Sequence, residues 1–104
     1  MRIMLKARIP VETGNAAARE GRLGDKIQSI LSNLKPENAY FTDDCGERTA
    51  YLFLNINHSS EIPRICEPWF LSFNARVELH PVMTPDDLNK AVPVISEAVK
   101  TFGC

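Results

Sequence analysis

Long apolar runs are absent from this 104-residue chain. Nothing in it approaches the ~18 consecutive apolar residues that a membrane span requires. The opening segment, MRIMLKARIP, is charged at Arg2, Lys6 and Arg8 and so lacks the apolar stretch of a secretory signal. An excess of one charge is missing too. Twelve Lys and Arg stand against 13 Asp and Glu, for a net charge of −1, which leaves no electrostatic footprint for nucleic acid or an anionic membrane. Cysteine is scarce and odd in number. Cys45, Cys66 and Cys104 lie far apart, which argues against a disulfide framework and for free thiols in a reducing cytoplasm. With only two histidines, His58 and His80, a transition-metal centre of three converging ligands is not expected. No glycine-rich loop follows a strand, so no nucleotide fingerprint exists, and no cofactor is called for. Repeats, linkers and low-complexity tracts are likewise absent. What is present is 44% apolar and 24% charged residues, the make-up of one globular domain with a modest core.

Periodicity supplies the elements. RIMLKARI alternates, with Ile3, Leu5, Ala7 and Ile9 on one side and Arg2, Met4, Lys6 and Arg8 on the other, the signature of a strand with one buried face. PVETG then turns the chain. Residues 15–34 change to helical spacing, with Leu23, Ile27, Ile30, Leu31 and Leu34 on one face. Gly21 and Gly24 fall inside this single expected helix and, with Ala17, make a small-residue strip suited to close backbone approach, or else simply a helix that is weak there. Glu20 sits awkwardly in the apolar arc. Arg19, Arg22 and Lys26 form a solvated flank.

KPENAYFTDDCGERTAYLFLNIN has the pattern of a hairpin, with turn chemistry at Asp44 to Gly46. Ala39 and Phe41 share a side with Ala50, Leu52, Leu54 and Ile56. Tyr40, Tyr51 and Phe53 lie on the other. A short helix follows, capped by Ser60, with Pro63 in its first turn, an apolar stripe of Ile62, Ile65, Cys66 and Trp69, and Pro68 ending or bending it. The last strand alternates Ala75, Val77 and Leu79 with Arg76, Glu78 and His80. Pro81 cannot donate to a ladder and marks an edge strand. Thr84-Pro85-Asp86-Asp87 starts a final helix, whose Leu88, Ala91, Val92, Ile95, Ala98, Val99 and Phe102 keep phase across Pro93 up to Gly103.

The order β-α-β-β-α-β plus a C-terminal helix predicts an α+β, ferredoxin-like domain spanning residues 1–104. Right-handed crossovers put the helices on one face of a four-stranded antiparallel sheet of order 4-1-3-2. The opposite face then carries Met4, Tyr40, Tyr51 and Phe53 among ionic groups. A cluster of exposed aromatics marks a contact surface.

That arrangement resembles the dimeric α+β barrel superfamily over nearly the whole chain. More narrowly, EPWFLSFNARVELHPVMTPDDLNKAVPVISEAV is similar to the end of a family of small bacterial proteins, matching at Pro68, Trp69, Pro81, Asp87, Ala91 and Pro93. The resemblance implies a homodimer with a cavity in each half of a barrel. In related families that cavity serves monooxygenases of the antibiotic-biosynthesis type, lactone isomerases, dehalogenase-like proteins or haem enzymes. It transfers no catalytic residue.

Candidate chemistry therefore comes from the residues alone. Glu78 and His80 share a face about 6.6 Å apart along the strand. His80 can act as a general acid/base tuned by Glu78, or Glu78 can pair with a base of the first strand and leave His80 as edge facing. Arg2, Lys6, Arg8 and Arg76 outnumber the single acid Glu78 on this face. If they line a cavity, a small anionic or carbonyl-bearing molecule is the natural guest, with Arg8 and Arg76 as contacts and Tyr40, Tyr51 and Phe53 as walls. Salt bridges to a second subunit are the alternative use of the same bases. Cys66 and His80 fall on different faces, so no Cys–His pair is available. The element order is also that of an RNA-recognition module. The first strand, however, lacks the aromatic such a module stacks on bases, so nucleic acid is not an expected partner. The expectation is a cytoplasmic homodimer paired through its open face. Its chamber binds or transforms a small molecule, or else it serves as a non-catalytic binding or interaction module.

Overall fold

A computed structural model describes residues 1–104. Its elements run β1 (Arg2–Arg8), α1 (Val11–Arg19), α2 (Leu23–Leu34), β2 (Asn38–Asp44), β3 (Glu47–Asn55), a 3-10 turn (Ser59–Glu61), α3 (Ile62–Phe73), β4 (Arg76–Pro81) and α4 (Pro85–Phe102). The four strands form one antiparallel sheet in the order β2-β3-β1-β4. This order is consistent with a ferredoxin-like arrangement and leaves the proline-ended β4 at an edge. Ile3, Leu5, Ala7, Ala50, Leu52 and Leu54 project from the two central strands into a core shared with Ile30 and Leu34 of α2. Ile65, Cys66, Trp69 and Phe73 of α3 complete it.

The single helix expected over residues 15–34 is two helices. α1 starts four residues earlier, at Val11 behind Pro10, and stops at Arg19. The break is a Schellman motif: Gly21 at φ +70° lets the Arg22 N–H reach the Ala17 carbonyl (2.9 Å) and its own N–H reach Ala18 (3.0 Å). Glu20 thus caps α1 instead of lying in an apolar arc. A side chain at Gly21 or Gly24 would have nothing within 4 Å, so the close-approach strip is not formed. Gly14, in contrast, does pack closely: an added Cβ would lie 2.7 Å from Arg48 Nη1.

Two expectations around the third helix are refined. His58, not Ser60, makes the cap before α3: its side chain accepts from the Ser60 N–H while the Glu61 carboxylate accepts from the N–H groups of Asn57 and His58. Those two backbone donors hold the Glu61 carboxyl below its ordinary range. Of the two expectations for Pro68, ending the helix is not met, because α3 continues through it to Phe73 and closes on Asn74 in the left-handed region (φ 51°). Phe73, buried and stacked on Trp69 at 6.2 Å, is therefore a core residue that the proline signal concealed.

α4 begins at its expected cap. The Thr84 hydroxyl accepts from the Asp87 N–H (3.1 Å) and the Asp87 carboxylate accepts from the Thr84 N–H (3.0 Å). It is one helix through Pro93, and none of its residues is buried. Leu88, Val92, Ile95, Val99 and Phe102 all face solvent. The helix gives the molecule dimensions of 58 × 28 × 21 Å and a radius of gyration of 17.4 Å, against about 13 Å for a compact domain of this length.

Candidate functional site

No helix covers the second face of the sheet, and strand register orders its side chains in three transverse rows. Thr42, Thr49, Arg8 and Arg76 make one. Tyr40, Tyr51, Lys6 and Glu78 make the next. Asn38, Phe53, Met4 and His80 make the third. All seven candidate residues (Arg8, Tyr40, Tyr51, Phe53, Arg76, Glu78 and His80) thus lie on this one face, as the alternation predicts.

The rows bring some candidates together and keep others apart. His80 Nε2 lies 3.4 Å from Glu78 Oε1, both side chains being about half exposed. Tyr40 and Phe53 meet edge to face at 6.4 Å. Arg8 and Arg76 are joined through Glu47, whose Oε1 is 3.0 Å from Arg8 Nε and 3.2 Å from Arg76 Nη1. Tyr40 and His80, in contrast, stand on opposite edge strands, about 14 Å apart at ~4.8 Å per strand. A small guest cannot touch both in a single chain.

Charge on this face is balanced, not basic. Lys6 lies between Asp44 (2.7 Å) and Glu78 (3.7 Å), with Tyr51 beside it at 6.0 Å from ring centre to Nζ. Arg8 meets Asp44 at 3.4 Å as well as Glu47, and Arg2 meets Glu37 at 3.0 Å. The hydrogen bond from Lys6 holds the Asp44 carboxyl below its ordinary range, and the same bond raises the Lys6 ammonium. The Arg8 Nε contact with Glu47 is one of charge only, since that buried N–H has no aligned acceptor. The expected surplus of bases over the lone Glu78 is thus corrected by Asp44 and Glu47, and by Glu37 at the edge. Asp44 and Glu47 were recoverable from the sequence. Extending the alternation of Tyr40 and Thr42 by one step reaches Asp44, and stepping back from Tyr51 through Thr49 reaches Glu47. Assigning DDCGE to the turn hid them, whereas the turn itself is confined to Cys45 and Gly46, both at positive φ.

Three concavities accompany this geometry. A shallow one on the open face, about 370 Å³, is lined by Arg2, Glu37, Asn38, Tyr40 and Phe53. A second, about 200 Å³, lies on the helix side beside Ile27, Phe41 and Trp69. The third, about 420 Å³, is an apolar groove at the end of β1, β3 and β4, where Met1, Ile3, Ile56, Ile62, Leu79 and Pro81 meet Asn57, His58 and Ser59. No group of three or more His, Cys, Asp or Glu side chains is placed to hold a metal ion. Cys66 is buried in the core, and burial pushes its thiol up, away from the reactive thiolate. No helix is long and apolar enough to cross a membrane.

No protein-family model matches the chain, and no curated protein matches it. Among solved structures it is similar to the de novo designed protein Ferredog-Diesel, at 10% sequence identity over 78% of this chain and 85% of that chain, with a TM-score of 0.45. A likeness that distant bears on neither mechanism nor partner. The α+β architecture with a four-stranded antiparallel sheet rests on the chain's own topology.

Proposed function

We propose that the protein works as a homodimer whose two open sheet faces meet and enclose a chamber for a small organic molecule, which it binds rather than transforms. The observation that carries this reading is the uncovered row of Phe53, Met4 and His80, with Tyr40 against Phe53, beside a charge network neutralised within the same chain. Aromatic groups on a helix-free face gain from being covered. Carboxylates already paired with Lys6 and Arg8 reduce the penalty that covering bare charges would carry. Because Lys6, Arg8 and Arg2 are already matched, the favoured guest is flat and largely apolar, stacked against Tyr40 and Phe53.

A catalytic reading is favoured by one contact, His80 Nε2 to Glu78 Oε1 at 3.4 Å, a carboxylate–imidazole pair suited to proton transfer. Native mass spectrometry of protein purified from cell extract tests the binding reading. A dimer mass with retained small-molecule adducts, lost on replacing Tyr40 by glutamate, is the expected result. A bare monomer at every concentration contradicts it. Turnover of a retained molecule that disappears in His80→Ala moves the assignment to the catalytic reading.

A further inference from the structure

The remaining unexplained feature is α4. Leu88, Ala91, Val92, Ile95, Ala98, Val99 and Phe102 recur at steps of three and four within an arc of roughly 120°. Every charged residue of the helix, from Asp86 and Asp87 through Lys90 and Glu97 to Lys100, lies outside that arc. A clean apolar stripe on a helix with no buried residue is a face awaiting a partner.

We propose that α4 is an exchanged arm. Its apolar stripe seats in the groove formed by Met1, Ile3, Ile56, Ile62, Leu79 and Pro81 of a second copy, whose own α4 fills the groove of the first. This rests on the self-association proposed above and assigns it a second pair of surfaces.

The groove matches the stripe in kind. No Asp, Glu, Lys or Arg lines it; its polar members are Asn57, His58 and Ser59 at one side. Ile62 and Leu79 are left partly open there for want of a covering element.

The helix does not reach its own groove. Only Val82 to Thr84 separate β4 from α4, and this link is pinned at both ends. The Val82 N–H donates to the Arg2 carbonyl (3.2 Å), and Thr84 and Asp87 exchange the two hydrogen bonds of the cap. Folding back over Pro81 would break the cap and reverse the chain within three residues. A second copy needs no such change.

Size agrees as well. An 18-residue helix is about 27 Å long. Leu88, Val92, Ile95, Val99 and Phe102 are 46–82% exposed, so two reciprocal helix-in-groove contacts, each copy giving one helix face and one groove, have apolar surface to cover toward the ~800 Å² per partner that a specific interface uses. The exchange is self-complementary and closes as a twofold dimer, with no open end to polymerise.

Sedimentation equilibrium of the full chain tests the arm, alongside Ile95→Glu on α4, Ile62→Glu in the groove and Tyr40→Glu on the open sheet face. Glutamate suits both helical sites: it is a good helix former in α4, and the first turn of α3 favours a negative charge. The expected result is a wild-type dimer whose dissociation constant rises at least tenfold in both Ile95→Glu and Ile62→Glu, with unchanged circular dichroism. A dimer weakened by neither, or by only one of the two, overturns the arm and its seat. If Tyr40→Glu then dissociates that dimer, pairing through the sheet face stands without the arm. A wild-type chain that is monomeric at all concentrations overturns both. So does one that binds vesicles of anionic phospholipid as a monomer, which would assign the stripe to a membrane surface.

Discussion

Replacing Trp69 by phenylalanine separates two opposing contributions at the centre of the core. The indole is fully buried and stacked on Phe73, yet its Nε1 has no hydrogen-bond acceptor. A buried donor left unpaired costs about 1–3 kcal/mol. Trimming the indole to a phenyl ring forfeits burial and opens a small void, a loss of about 1–3 kcal/mol. The two nearly cancel, so Trp69→Phe is expected within ~1 kcal/mol of the parent. Trp69→Ala removes the same orphan donor but leaves most of the ring volume empty, where such truncations cost about 3–5 kcal/mol. Its net loss is expected to exceed ~2 kcal/mol after that relief. At about 4–8 °C per kcal/mol for a domain near this size, calorimetry should place Trp69→Phe within ~8 °C of the parent and Trp69→Ala well below it. Both are compared at one protein concentration, because a dimer melts in a concentration-dependent way. A Trp69→Phe loss above ~2 kcal/mol would refute the claim that the indole N–H is an unmet donor, because a satisfied N–H would add its lost hydrogen bond to the cost of trimming.

Gly24→Ala should raise stability by about 0.5–1 kcal/mol in urea denaturation, since its Cβ enters open space in the first turn of α2. Gly21→Ala should lower stability by about 1–2 kcal/mol, because φ +70° is unfavourable for alanine. The carboxyls of Asp44, Glu61 and Asp87 are held below their ordinary range, chiefly by the Lys6 hydrogen bond for Asp44 and by backbone N–H groups for the other two. A folded-state pKa below the unfolded one adds stability that is present above about pH 4 and lost as pH falls through the lowered values. Melting temperature should thus be level near neutrality and fall in acid, with a shallower fall in Asp44→Asn; an identical acid slope in that variant would contradict the assignment. His80→Ala should leave melting unchanged, as expected for a half-exposed edge side chain, while loss of ligand retention in native mass spectrometry would mark it as part of the site.

Strand faces were legible in the sequence because period two is rigid. One residue of slip would have turned Leu5, Leu52 and Leu54 to solvent, so alternation alone places Tyr40, Phe53, Glu78 and His80 together. Helix boundaries were less legible. Gly21 inside an apolar periodicity is compatible with a weak helix or with a Schellman stop. Only the hydrogen bonds to Ala17 and Ala18 decide between them. Pro68 was compatible with an end or a bend, and α3 runs through it. Electrostatics was half legible: the bases of β1 stood in plain alternation, while Asp44 and Glu47 were concealed at the ends of a hairpin whose turn is only two residues long. The isolation of α4 could not be read at all, because an apolar stripe looks the same whether it covers its own sheet or another chain.

Self-association is the claim on which the chamber and the arm both depend. Small-angle X-ray scattering of the full chain over a concentration series measures it most directly, because forward scattering reports mass while the radius of gyration reports shape. A self-associating chain gives twice the 11.7 kDa chain mass at the higher concentrations, falling toward the single chain on dilution. A particle of single-chain mass throughout the series, keeping the 17.4 Å radius of an extended monomer, would contradict it.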